Sequence, residues 1–323
     1  IMAARVFELP KEHELTKDQR MAIRLPADGQ YLVVGAPGTG KSVVALMRLR
    51  KYAATNETLF LSYNHVLNHA NKVLAGPDEN FHMNTAMSWL YDFQYKAAGG
   101  SQANFEQAKM PEIEKHKPDY EALINRFDEL GASCTSTNFI IDEGQDLPPE
   151  WYEAVEALNV ENFFIVADQN QQITEENSSQ SDLLDALGLE KDDVIQLKEN
   201  WRNTTPISAF ANYFYTDKSS EKPALPKKPS AHVPILYEYK MLDSAKELIL
   251  SSYDNDPSKL IGLFVANENK RGYWAKYLKN DNKQRREAPP IVSTYYSDQK
   301  GLVNINFSQG GIVVLNDKSV KGI

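Results

Sequence analysis

Short apolar runs alternate with longer amphipathic stretches through the amino-terminal part of the chain. Tyr31–Val34, Thr58–Ser62, Phe139–Asp142 and Phe163–Asp168 are apolar runs bounded by turn residues or carboxylates, the pattern of buried strands. Between them, Lys41–Tyr52, His65–Leu74, Glu150–Leu158 and Ser181–Leu187 carry apolar residues at helical spacing. Strand and helix in alternation predict βαβ units, and so a parallel sheet covered by helices on both faces.

Two segments interrupt the rhythm. Ala97–Ser136 is polar, rich in Glu, Lys and Gln, with a helical stretch at Tyr120–Leu130, and reads as an insertion before a core strand. The proline-rich Pro223–Pro234 reads as a connection. A second αβ series follows: Ile235–Tyr239, Leu242–Ser252, Leu260–Ala266, Arg271–Leu278, Ile291–Tyr295 and Gly311–Leu315.

Composition narrows the class. The chain of 323 residues is 42% hydrophobic and 24% charged, which is globular rather than disordered. No apolar run reaches the length of a membrane helix, and Ile1–Glu12 lacks the apolar core of a signal peptide. With Cys134 as the single cysteine there is no disulfide framework, so a cytoplasmic setting is the expectation. His65, His69, His82 and His116 show no metal-ligand spacing. Nothing in the sequence implies an oligomer.

Charge is uneven. The formal total is -9, yet residues 217–323 hold 17 Lys and Arg against 12 Asp and Glu. Lys270–Arg286 concentrates seven bases, including Lys276, Lys279 and Lys283. Two readings stay open for it, a solvated helix face and a track for a phosphate backbone. Trp89, Tyr91, Phe93 and Tyr95 alternate, which suits either core packing or a groove lining.

The chemistry concentrates in one motif. Gly35, Ala36, Pro37, Gly38, Thr39, Gly40, Lys41 and Ser42 match G-x-x-x-x-G-K-[ST] between a predicted strand and a predicted helix. Backbone N–H groups of such a loop turn inward around phosphate oxygens, and the helix N-terminus adds positive potential. Lys41 is placed for β- and γ-phosphates, and Ser42 offers a hydroxyl to Mg²⁺. Asp142 and Glu143 end an apolar strand. Asp142 suits the metal, and Glu143 suits the activation of a water, which makes the reaction hydrolysis.

Asp142-Glu143-Gly144-Gln145-Asp146 resembles the D-E-x-Q-D box of superfamily 1 helicases, in particular the UvrD/Rep-like group. Other boxes follow in that family's order. Leu15–Gln19 resembles the Q motif, Leu61–Asn64 motif Ia, and Thr85–Ser88 motif Ib with Met87 in place of the usual histidine. Ala167–Gln171 resembles motif III, Glu199–Asn203 motif IV with Trp201 in place of tyrosine, and Ser319–Ile323 the start of motif V. The aromatic that follows motif III in the family is missing from Gln172–Glu175.

The resemblance implies roles. Gln19 reads the adenine edge and Trp201 stacks on the base. Gln171 senses the γ-phosphate. Arg202 offsets the charge developing there, from across a cleft between domains. Gln145 couples the metal site to a nucleic-acid face, to which Tyr63, Asn64, Thr85 and Ser88 belong. It also implies the fold: α/β, with a P-loop (RecA-like) parallel-sheet domain at 1–205 carrying the insertion at about 97–136. A second RecA-like α/β domain at 206–323 is then incomplete, because the chain stops within motif V.

The activity so implied is that of a DNA helicase ATPase region, translocating on single-stranded DNA by Mg-ATP hydrolysis, with no membrane partner. Three rivals stand beside it. One is an RNA-directed helicase. Another is a non-motor module of helicase ancestry that binds nucleotide or a protein partner. The last is a P-loop enzyme that passes phosphate to a small acceptor.

Overall fold

The structure, a computed structural model, describes residues 8–101, 104–168, 177–200, 202–214, 224–285, 289–296 and 303–320. The chain forms two compact units, Leu9–Tyr63 with Pro77–Pro234, and Ile1–Glu8 and Asn64–Gly76 with Ile235–Ile323. The first unit thus continues past the boundary read at 205/206.

In the first unit, α1 (Lys17–Arg24) leads to β1 (Gln30–Gly35), α2 (Lys41–Tyr52) and β2 (Thr58–Ser62). The next helix, α3 (His65–Ala75), belongs to the second unit. The chain returns as β3 (His82–Thr85) and α4 (Ala86–Ala97). The insertion then contributes α5 (Phe105–Ala108), a hairpin of β4 (Glu112–Glu114) and β5 (Lys117–Pro118), and α6 (Tyr120–Leu130). The remainder is β6 (Asn138–Asp142), α7 (Pro149–Glu156), β7 (Asn162–Ala167), α8 (Gln180–Leu187), β8 (Ile195–Leu197) and α9 (Thr205–Ala211).

Six of these strands form one sheet in the order β3-β2-β6-β7-β1-β8, parallel at every pairing. The expected α/β class with a parallel sheet is what the chain adopts. Asp142 pairs in register with Val166, and Val34 with Ala167, so β1, β6 and β7 end side by side.

The core explains the aromatic run. Trp89 and Phe93 stand one helical turn apart on α4, their rings 5.4 Å apart. Trp89 meets Phe139 edge-on at 5.0 Å, and Phe93 meets Phe127 of α6 at 5.7 Å. Their spacing is that of a helix face, and these two rings are core. The insertion is anchored the same way, with Leu123 and Phe127 fully buried. Asp119 caps α6 by accepting from the Ala122 N–H at 3.0 Å.

The second unit holds a parallel sheet of β9 (Leu260–Val265), β10 (Val292–Thr294) and β11 (Gly311–Asn316) in the order β10-β11-β9. With it go α10 (Leu242–Asn255), α11 (Glu268–Arg285) and α12 (Asp317–Val320). Val66 and Ala70 of α3 are buried with Tyr295, Ile305, Phe307, Val313 and Leu315. His69 Nε2 lies 2.9 Å from the Ile305 carbonyl. Ile235–Tyr239, expected as a strand, pairs with no strand among the described residues, and Ile235 and Leu236 are exposed. Alternation describes side chains, but a strand also needs a neighbouring backbone to bond. Among the described residues no helix is long and apolar enough to cross a membrane.

Arg48 on α2 is only 2% exposed and ties α1 to the sheet. Its Nη1 donates to the carbonyls of Ala22 (3.2 Å) and Leu25 (2.9 Å), and its Nη2 to Pro26 (2.7 Å). Pro26 has no N–H to continue the helix onto the Ala22 carbonyl, so the guanidinium takes that place. The Phe164, Tyr52 and Tyr31 rings surround it at 4.1, 5.0 and 5.5 Å. Burial lowers its pKa to about 10, which leaves it a cation at neutral pH. Arg48→Met keeps bulk but strands the Ala22 and Pro26 carbonyls. It is expected to lower stability by about 3 kcal/mol, at 1–3 kcal/mol per stranded buried group. The midpoint of urea unfolding measures it.

Candidate nucleotide site

Every described residue of the candidate phosphate site lies in the first unit, at the carboxyl edge of its sheet. Gly38 and Gly40 both have φ near 85°, a left-handed conformation that favours glycine. A Cβ on Gly38 would come within 2.4 Å of Asn200 Oδ1, and one on Gly40 within 2.5 Å of Gln19 Nε2. The loop is thus closely overlaid by Gln19, from the box before it, and by Asn200, from a box far later in the chain. The Thr39 hydroxyl closes it internally, donating to the Ala36 carbonyl at 2.9 Å.

Lys41 and Ser42 open α2. Lys41 Nζ donates to the carbonyls of Gly35 (2.8 Å) and Ala36 (3.3 Å) and to Asp168 Oδ2 (3.0 Å). Ser42 Oγ donates to Asp142 Oδ1 at 3.1 Å, joining the P-loop helix to the end of β6. This hydroxyl and carboxylate are hard oxygen donors, the kind Mg²⁺ takes beside phosphate. Among the described residues no three His, Cys, Asp or Glu side chains gather as a metal site of their own.

Glu143 carries the backbone outlier of the site, at φ 58° and ψ 48°. For a residue with a Cβ, that left-handed geometry costs roughly 1–2 kcal/mol. Its carboxylate is held: Gln145 Nε2 donates to Glu143 Oε2 at 2.7 Å, while Gln145 Oε1 accepts from the Asp168 N–H at 2.9 Å. Gln145 therefore links the carboxylate after β6 to the backbone after β7. Tyr152 fixes the intervening turn by donating to the Gly144 carbonyl at 2.7 Å, and burial raises its pKa well above the usual phenol range.

Gln19 is buried with both ends of its carboxamide engaged. Oε1 accepts from the Thr16 N–H (2.9 Å) and Nε2 donates to the Thr39 carbonyl (2.8 Å). It caps α1 and docks the helix on the P-loop. Asn200 performs the same task from the other side. Its Nδ2 donates to the Pro37 carbonyl at 3.1 Å, and its Oδ1 accepts from the N–H groups of Arg202 (3.1 Å) and Asn203 (3.2 Å). The Arg202 N–H also faces the Gly38 carbonyl at 3.3 Å. Arg202 belongs to the same compact unit as the P-loop, whereas the resemblance implied reach across a domain cleft. Gln171 and Trp201 lie outside the described residues.

The residues implied for nucleic acid have local duties. Asn64 caps α3 by accepting from the Leu67 N–H at 2.8 Å. Thr85 is buried, caps α4, and donates to Ser88 Oγ at 2.8 Å. Tyr63 is 39% exposed, and burial of the rest, then the Asp146 charge, raises its pKa. Within Lys270–Arg286, Arg271 is buried against Asn316 (3.1 Å) and Glu268 (3.5 Å), leaving Lys270, Lys276 and Lys279 exposed.

Asp168 and Asn200 are the site residues to which motif reading assigns no role. The boxes contain both, but only the folded contacts with Lys41 and Pro37 single them out. Gly144 offers a direct test of the Glu143 turn. A Cβ there would lie 2.3 Å from Ile165 Cγ2 and 2.9 Å from Tyr152 Oη. Gly144→Ala is expected to cost about 2 kcal/mol through overpacking. It should also displace Glu143, and thermal melting together with ATP turnover reads both effects.

No protein-family model matches this sequence, and no curated protein matches it. Solved structures do align with it. The Pif1 helicase of Candida albicans aligns at TM-score 0.45 and 12% identity, over 84% of this chain and 55% of that one. A Bacteroides Pif1 bound to ssDNA aligns at TM-score 0.39 and 11% identity, over 88% of this chain and 61% of that one. A Bacteroides sp. Pif1 in complex with ADP-AlF4 aligns at TM-score 0.35 and 12% identity, over 80% of this chain and 55% of that one. The chain therefore spans less than two thirds of the length of each of these helicases.

Proposed function

We propose that this chain is the ATP-hydrolysing motor region of a superfamily 1 helicase of the UvrD/Rep-like kind, acting on single-stranded DNA. The observation that carries the reading is the Ser42 Oγ to Asp142 Oδ1 contact at 3.1 Å, beside Lys41 and Glu143 at the carboxyl edge of a parallel sheet. Hydroxyl, carboxylate, ammonium and a second carboxylate are the set that nucleotide hydrolysis needs, on strands whose order brings them together.

ATP is the substrate in this reading. The P-loop N–H groups and Lys41 hold its β- and γ-phosphates, and Ser42 and Asp142 hold Mg²⁺. Bound Mg²⁺ neutralises phosphate charge. Glu143, with Oε2 engaged by Gln145, turns its other oxygen to a water and takes its proton as the water oxygen attacks the γ-phosphorus. The bond to the β–γ bridging oxygen breaks, leaving ADP and phosphate. Arg202 offsets charge on the transferring group, while Gln171, Trp201 and Gln19 serve the γ-phosphate and the base. Tyr63, Thr85 and Ser88 border the single-strand path on the first unit.

Glu143→Gln is expected to keep Mg·ATP binding, because Lys41, Ser42 and Asp142 remain. It should lose on the order of 10²–10⁴ in turnover, the worth of a positioned general base. Lys41→Ala should weaken nucleotide binding and lose turnover. ATP turnover measured with and without single-stranded DNA or RNA tests the motor. Stimulation by DNA supports it, and stimulation by RNA alone reassigns the substrate. Turnover indifferent to both leaves a nucleotide hydrolase and removes the motor.

A further inference from the structure

The ammonium of Lys41 has three N–H donors and no acceptor. Three acceptors among the described residues lie within reach of it: Gly35 O at 2.8 Å, Ala36 O at 3.3 Å and Asp168 Oδ2 at 3.0 Å. Its donors are therefore matched one for one inside the protein. The ion pair is also dry, with the Lys41 and Asp168 side chains 7% and 0% exposed. Opposite charges so placed attract far more strongly than a solvated surface pair.

Asp168 is held firmly. It follows β7, whose last residue, Ala167, pairs with Val34 of β1 immediately before the P-loop. Its N–H donates to Gln145 Oε1 at 2.9 Å. The carboxylate is thus anchored to the same strand ends that present the loop. The contacts to Gly35 and Ala36 involve neutral carbonyls, so among the described residues Asp168 is the one formal charge hydrogen-bonded to Lys41.

We propose that Asp168 competes with the nucleotide's phosphates for Lys41 and thereby sets nucleotide affinity. Binding is then an exchange, in which a β- or γ-phosphate oxygen replaces the Asp168 carboxylate on Nζ. A ligand with a single phosphate makes that exchange poorly, so the pair selects for di- and triphosphates. The inference rests on the proposed ATP site and adds to it a residue that lowers affinity.

The test uses the full chain and N-methylanthraniloyl-ADP, titrated by fluorescence anisotropy. Asp168→Asn removes the charge, keeps the shape and keeps the backbone N–H to Gln145. It is expected to tighten binding roughly tenfold, within the range of ordinary coupling between two sites. The gain should vanish when Asp168→Asn is placed in a Lys41→Ala background. Unchanged or weaker binding in Asp168→Asn overturns the proposal, and so does an equal gain in the Lys41→Ala background, which would mark a general field effect. A melting curve matched to the parent confirms the fold, and Asp168→Ser replaces Asp168→Asn if that variant does not fold. A parent chain that binds no nucleotide sinks the ATP site and this competition together. Parent binding with no gain sinks only the competition.

Discussion

A parallel sheet buried on both faces sends the carboxyl end of every strand to one edge, and the chemistry of this chain depends on that edge. β7 lies between β1 and β6, so Gly35, Asp142 and Asp168 stand at the carboxyl ends of three adjacent strands. The polar groups there are largely cut off from water and must satisfy one another. They do so in a connected set running from Glu143 through Gln145 and Asp168 to Lys41. Displacing any member strands its neighbour, which is how a short network fixes the positions of two carboxylates and an ammonium.

The large elements of this arrangement are legible in the sequence. β1, β2, β6 and β7 are long apolar runs, and α2, α3 and α8 fall where the helical spacing puts them. The P-loop announces itself because its glycines answer to backbone conformation, which leaves a mark in any sequence. β3 and β8 escape notice because they are edge strands of four and three residues, with mixed polarity. α4 is hidden by an accidental alternation of aromatics, although Trp89 and Phe93 sit a helical turn apart.

The finer parts of the site depend on contacts distant in sequence. Nothing local shows that Asn200 bridges Pro37 to Arg202, or that Asp168 reaches Lys41. Gln19 carries a different lesson. The motif points to base reading, and the fold also engages its carboxamide in the α1 cap and the Thr39 carbonyl. Motif residues can hold the scaffold as firmly as they hold a ligand.

The packing of α3 has a consequence for taking the chain apart. Polypeptide passes between the compact units at 8/9, 63/64, 76/77 and 234/235, so one unit is interleaved with the other in sequence. A single cut at 234/235 would not yield two self-sufficient pieces. The amino-terminal fragment would carry α3 with Val66 and Ala70 stripped of cover, and the carboxy-terminal fragment would lack the helix that closes its sheet. Excising the second unit with its sheet covered means supplying residues 64–76 on a new connection, as in a circular permutant.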